Sequence, residues 1–430
     1  MLRNNRNLLG LAIIVMSTNP LSFLPMASAN SSIESLESPQ GAKRQSIIKD
    51  ADQTQGVKDF NQGLSYGRHE EYEQAVNAFN KAEAEGFKAF ELFLFRGQAY
   101  HEIKRYVEAE ADASRAVALQ PMNGYAYQLR AAIYQSTERW EDAIKDLSTG
   151  VTIASKELAA KLYQARGIIN LRLARRKEAL DDLSQALSLG NATPVVYYKR
   201  GRTYTELSRY SEAIQDFSEA LKRQQNHYKS RLNRGWVNGC IGEFDKSIHD
   251  FDHLLSNTPE DVLVHGLRGW ARLESNDVEG GLSDLLYAME HGDKDPWTYL
   301  NIASAYYIKG MMNKAIDANA QGLALNDPSS QAVLHFQKGL LLLVAGRSKE
   351  ARASYDRARK LAVKNSERLQ LQEATADLRE AVKFHKEIKG QAKQILKELE
   401  KTLSITKVSK GLIPKQCQQL RNRQEYFREG

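Results

Sequence analysis

Two cysteines and nine prolines are all that 430 residues contain. Two cysteines, Cys240 and Cys417, cannot staple a chain of this length, so a disulfide scaffold is excluded; nothing in their spacing says whether they pair. Few prolines leave long stretches in which a helix is uninterrupted. Strand-type alternation is scarce while Ala, Leu, Glu and Lys abound, which predicts an all-helical chain. A phosphate loop, a nucleophile elbow and a CxxC pair are all missing. No catalytic residues and no cofactor are therefore expected, and the chain reads as a non-enzyme.

A basic body is missing too. The chain has 60 Lys and Arg against 53 Asp and Glu, but the excess sits at one end. From Lys364 onward 15 basic residues face 9 acidic ones, whereas residues 30–363 hold 43 against 44. Nucleic-acid binding calls for a basic stripe, so no nucleic-acid partner is expected.

Residues 1–29 have the pattern of a secretory signal peptide. Arg3 and Arg6 precede an apolar run from Leu8 to Met16, and Ala27-Ser28-Ala29 supplies a small-x-small cleavage site. The run is shorter than the ~20 residues of a membrane span, so no stable span is expected after cleavage. The expected location is periplasmic or secreted; an uncleaved anchor is the alternative. Residues 30–55 are polar and read as a flexible lead-in.

A period organises the chain from residue 56 to about 365. An anchor residue recurs at Gly63, Gly97, Ala131, Gly167, Gly201, Gly235, Gly269, Ala303 and Gly339, at spacings of 34 or 36. Tyr follows it by three at Tyr66, Tyr100, Tyr134, Tyr204 and Tyr306. Ala follows by twelve at Ala75, Ala109, Ala143, Ala179, Ala213, Ala315 and Ala351, and by nineteen in six copies. Small residues let two helices approach and large ones fill the gaps between them. Prolines fall near the junctions. A period of 34 with paired helices predicts a solenoid.

Before the anchor stands Arg, and fifteen residues after it Asp, in six copies. They are Arg96 with Asp112, Arg130 with Asp146, Arg166 with Asp182, Arg200 with Asp216, Arg234 with Asp250, and Arg268 with Asp284. In the other three copies both are missing together, at Gln62 with Ala78, Ile302 with Ala318 and Lys338 with Ser354. Joint presence and joint loss predict a structural ion pair, because a buried charge left alone costs about 3–5 kcal/mol. The carboxylate belongs to the second helix of the same or the neighbouring repeat.

This pattern resembles the tetratricopeptide repeat family over residues 56 to about 365, in nine units. The seventh to ninth are looser, with Arg272, Val278 and Gly281 at expected Tyr, aromatic and Ala positions. The resemblance implies a right-handed superhelical solenoid of antiparallel helix pairs over 56–363. It also implies that the first helix of each repeat lines a concave face that binds a peptide of a partner protein. Carried over position by position, that face includes Tyr125, Gln128, Lys161, Gln164, Tyr198, Lys199 and Arg202. Further along it includes Lys229, Asn233, Trp236, Trp270, Trp297, Asn301 and Tyr307. The tryptophans are candidate anchors, since Trp buries much area at low entropy cost. The basic group Lys161, Lys199, Arg202 and Lys229 suits a peptide with acidic and apolar side chains.

After the repeats, Leu371, Ala374, Leu378, Ala381, Ile388, Ala392, Ile395 and Leu399 mark an apolar stripe. Residues 364–406 are expected to form a helix that caps the solenoid, with a break near Gly390. The stripe exceeds one repeat helix, so self-association into a homo-oligomer, or a role as spacer in an envelope complex, is the alternative. Residues 407–430 are a basic tail. His249 and His253 share a helix face but are two ligands at most, so no metal site is expected.

Overall fold

The computed structural model describes residues 54–365 and 367–405. The expected signal peptide, nearly all of the lead-in, Cys417 and the tail 407–430 lie outside them. The described residues form twenty α-helices, a single 3-10 turn and no strand. In the first unit, which ends at Thr203, these are α1 (Gln55–Arg68), α2 (Tyr72–Ala84), α3 (Phe90–Glu102), α4 (Tyr106–Leu119), α5 (Gly124–Ser136), α6 (Trp140–Ile153), α7 (Lys156–Arg172) and α8 (Arg176–Ser188). The unit boundary falls inside α9 (Pro194–Glu206). The second unit holds α10 (Tyr210–Arg223), α11 (Tyr228–Cys240), α12 (Phe244–Asn257), α13 (Val262–Glu274), α14 (Val278–Glu290), α15 (Pro296–Ile308), α16 (Met312–Ala324), α17 (Gln331–Val344), α18 (Ser348–Lys364), α19 (Arg368–Phe384) and α20 (Lys389–Ile405). Within each unit a first helix packs on its second helix, and that on the next first helix, as in an all-helical repeat solenoid.

The period is written into the backbone. Seven residues after every anchor the chain turns left-handed, at Glu70, Lys104, Glu138, Ala174, Ser208, Gly242, Asn276, Gly310 and Gly346. The next amide reaches back to the carbonyl three after the anchor; Arg105 N to Tyr100 O spans 2.8 Å and Arg347 N to Leu342 O 2.8 Å. This is the αL closure of a helix C-terminus. It recurs in the three looser repeats, which settles their register.

Helix approach explains the small residues. A Cβ added to Gly269 would lie 2.9 Å from the Gly281 carbonyl, and one added to Gly281 would lie 2.9 Å from the Gly269 carbonyl. Gly281 therefore replaces Ala where α13 and α14 run closest. Elsewhere the residue sixteen after the anchor fills the gap: Phe79, Leu147, Leu183, Phe217, Phe251 and Leu285 are all fully buried.

The C-terminal stripe folds back on itself. α19 ends at Phe384, a 3-10 turn covers Lys386–Ile388, and α20 returns along α19 and α18. All eight stripe residues are buried in one cluster with Phe336, Leu342 and Tyr355. The single helix broken near Gly390 is thus a hairpin whose bend lies a few residues earlier. Its apolar surface is spent on capping α17 and α18. Among the described residues no helix is long and apolar enough to cross a membrane.

Candidate functional site

Five of the six Arg-Asp pairs lie within one unit, and in each the guanidinium grips the carboxylate of its own repeat. Arg130 Nε to Asp146 Oδ2 is 2.7 Å and Nη2 to Oδ1 2.8 Å. Arg234 to Asp250 is 2.9 and 2.7 Å, and Arg268 to Asp284 is 2.8 and 2.7 Å. Arg96 with Asp112 and Arg166 with Asp182 have the same double contact. Arg200 and Asp216 belong to different units; Arg200 donates to Ser184 Oγ at 3.4 Å and Asp216 is buried.

The remaining guanidinium nitrogen reaches the second helix of the preceding repeat. Arg130 meets Ser114, Arg166 meets Ser148, Arg234 meets Ser218, and Arg268 meets Asp252. Each Arg thus joins three helices. These acceptors stand two residues after the ladder Asp at the repeat period, so the sequence itself carries the signal that marks them. Burial pushes the Asp112 carboxyl up, while the same contact with Asp112 holds Arg96 in its charged form. The ladder is structural chemistry: its groups are spent on one another.

First helices of successive pairs also touch each other, α1 with α3, α3 with α5 and α5 with α7, then α11 with α13, α13 with α15, α15 with α17 and α17 with α19. They give each unit one face. In the first unit Lys161 is exposed, Lys199 and Arg202 are part-buried, and the Lys199 ammonium lies 5.7 Å from the Tyr198 ring centre. Tyr198 and Gln128 are buried, as is Gln164, whose amide oxygen accepts from Asn191 at 2.6 Å. Tyr125 is half-buried.

In the second unit the tryptophans are less available than expected. Trp236, Trp270 and Trp297 are 6%, 2% and 7% exposed. The Trp270 ring sits over Gly239, where a Cβ would come within 2.6 Å of it, and edge-on to Phe244 at 6.4 Å. Trp270 is a packing residue between repeats. Asn233 spends its amide on the Lys229 carbonyl, 2.8 Å away. Lys229 is part-buried.

Trp297, Asn301 and Tyr307 do come together, in a pocket of about 320 Å³ built by α13, α15, α17, α18 and α19. Phe336 and Gln337 of α17 and Gln370 of α19 complete it. Burial and then Glu380 push the Tyr307 phenol up; burial, Asp377 and Tyr307 do the same to Tyr355. The α19 wall was not legible in the sequence, because only the capping hairpin's fold brings it there. His249 and His253 lie on α12, and among the described residues no three potential metal ligands converge.

Sequence models of the tetratricopeptide repeat match residues 60–124 and 195–227. A curated relative, the DnaJ homolog subfamily C member 7 homolog of Schizosaccharomyces pombe, is 24% identical over 126 residues, 29% of this chain. That stretch spans a quarter of the relative's length. Among solved structures, a tetratricopeptide repeat protein from Parabacteroides merdae is 18% identical over 59% of this chain and 98% of its own, with a TM-score of 0.42. YrrB, a repeat protein with an unusual peptide-binding site, is 20% identical over 42% of this chain and 91% of its own, with a TM-score of 0.39. MamA from Desulfovibrio magneticus is 21% identical over 40% and 96%, with a TM-score of 0.38. With the matched stretches and the same helix pair recurring at their period, the chain is a tetratricopeptide repeat protein.

Proposed function

We propose that the protein is a non-catalytic scaffold, exported from the cytoplasm, that binds a peptide segment of a partner protein on the faces lined by its first helices. Repeats of this family form protein-interaction scaffolds. The observation that carries the finer reading is the pocket of the second unit, where aromatic and amide side chains of successive first helices meet. Ligand sites are concave, mostly apolar and set with a few polar groups. Export rests on the signal-peptide pattern, and a disulfide at Cys240 fits an oxidising compartment.

Affinity capture from native envelope extract, with residues 30–430 as bait, tests the binding. The control bait carries Tyr307→Ala and Ile308→Asp; Ile308 is 57% exposed on the pocket rim and Tyr307 packs part-buried against the core, so the control is first checked for unchanged helicity and melting. A partner held by the first bait and lost by the second is the expected result. A partner held equally by both moves the site off this face. N-terminal sequencing of the exported protein should begin at Asn30; a chain still starting at Met1 would overturn cleavage.

A further inference from the structure

One core position breaks the rule of its repeats. In eight of the nine repeats the residue sixteen after the anchor is Phe, Leu, Ala or Tyr; in the other, on α16, it is Asn319. Asn319 is fully buried, and among the described residues its Oδ1 has no hydrogen-bond partner. A leucine would fill the space, as Leu285 does in the preceding repeat, and leave no polar atom unmet. The asparagine therefore costs the fold stability. Sequences break their local rules mainly at functional sites.

What Asn319 holds is a wall of the second unit's pocket. Its Nδ2 donates to the Leu334 carbonyl at 3.0 Å and to Gln337 Oε1 at 2.8 Å. Gln337 Nε2 donates in turn to the Leu300 carbonyl and to Ser304 Oγ, both at 2.9 Å. Backbone carbonyls only accept, so each amide has one orientation. Both donors of Gln337 are thus used, and one of its two acceptor sites is taken. Gln337 is part-buried and lines the pocket with Leu300 and Ser304. The one hydrogen bond still open to it is as an acceptor, at Oε1.

We propose that Gln337 selects the pocket's occupant by accepting one peptide N–H from it, and that Asn319 is the positioning residue that keeps Gln337 against α15. This rests on the reading of the face as a peptide site. The wall around Gln337 includes Leu300, Val333, Phe336 and Leu340, so the N–H belongs to a residue with an aliphatic side chain.

A matched pair of probes tests this in the full chain: N-acetyl-leucine methylamide, and the diester of the same shape in which oxygen replaces each N–H. Isoleucine methyls are isotope-labelled, and the Ile308 methyl on the pocket rim is followed by NMR as each probe is added. The amide should bind at least about fivefold more tightly than the ester. The ratio should fall to about one in Gln337→Met and in Asn319→Leu. Asn319→Leu should also melt no lower than the wild type, because Gln337 is part-buried and can turn its freed oxygen to water. No shift with either probe, equal binding of the two, or a preference that survives Gln337→Met overturns the proposal. A preference that survives Asn319→Leu, or a lower melt of that variant, overturns the positioning role. Tyr307-dependent capture without the amide preference sinks this inference alone. The preference without Tyr307-dependent capture sinks the partner reading alone.

Discussion

Arg130 and Asp146 meet through two parallel hydrogen bonds of 2.7 and 2.8 Å, and the third guanidinium nitrogen donates to Ser114 of the preceding repeat. Asp146 is 5% exposed, and Arg130 is its ion-pair partner. Arg130→Met should therefore destabilise by about 3–5 kcal/mol, because it strands a buried carboxylate. Arg130→Met with Asp146→Leu should recover most of that loss. Urea unfolding compares the two, and equal midpoints would show that the pair is decorative.

Six repeats place a residue other than glycine in the left-handed turn, and Ala174 at φ 57° is one of them. An L side chain there costs roughly 1–2 kcal/mol, so Ala174→Gly should stabilise by about that order. The reverse change, Gly310→Ala, should destabilise, since Gly310 has φ 70° and open space around it. Thermal melts of both variants test backbone strain in isolation from packing.

Trp270 fills the space over Gly239. Trp270→Ala should lower stability by about 3–5 kcal/mol through the cavity it leaves. Gly239→Ala should also destabilise, by about 1–3 kcal/mol, through the clash with the ring. Neither change should alter partner capture at a temperature where both variants are folded, whereas Tyr307→Ala with Ile308→Asp should.

His335 of α17 gives the fold a pH dependence. Burial, then Arg357 and Lys338, push its pKa down to about 4 from 6.5. The folded state holds His335 neutral while the unfolded chain takes up a proton, so its share of stability is complete above pH 6.5. That share is lost as pH falls from 6.5 towards 4, an effect of about 1–2 kcal/mol after allowing for partial exposure. His335→Leu should flatten unfolding free energy across that range; an unchanged slope would assign it to other groups.

The capping hairpin covers the apolar side of α17 and α18 with all eight stripe residues. A chain ending at Val363 should therefore associate or aggregate, while the full chain should run as a monomer in light scattering. A full-length dimer that dissociates on truncation would instead support self-association through residues 364–406.

Much of this protein is local, and local order is what a sequence by itself determines. The 34-residue period, the Arg-Asp pairing and the small residues at helix contacts recur because every repeat solves the same packing problem, so nine copies amplify one weak signal. Which carboxylate each Arg takes is a tertiary matter: the sequence left two repeats open, and helix geometry put Asp146 and Ser114 on either side of Arg130. The pocket was decided by tertiary structure as well. Trp236 and Trp270 stand one residue after their anchors and Trp297 six before its own, all on the inferred groove face, yet the Trp270 ring is locked over Gly239 while Trp297 lines a cavity. One wall of that cavity is α19, which no repeat position encodes. α19 packs on α17 and so brings Gln370, Glu373 and Asp377 to the cavity. Contacts between segments without a shared period leave no periodic trace, so the wall that makes the site appears once the chain is folded.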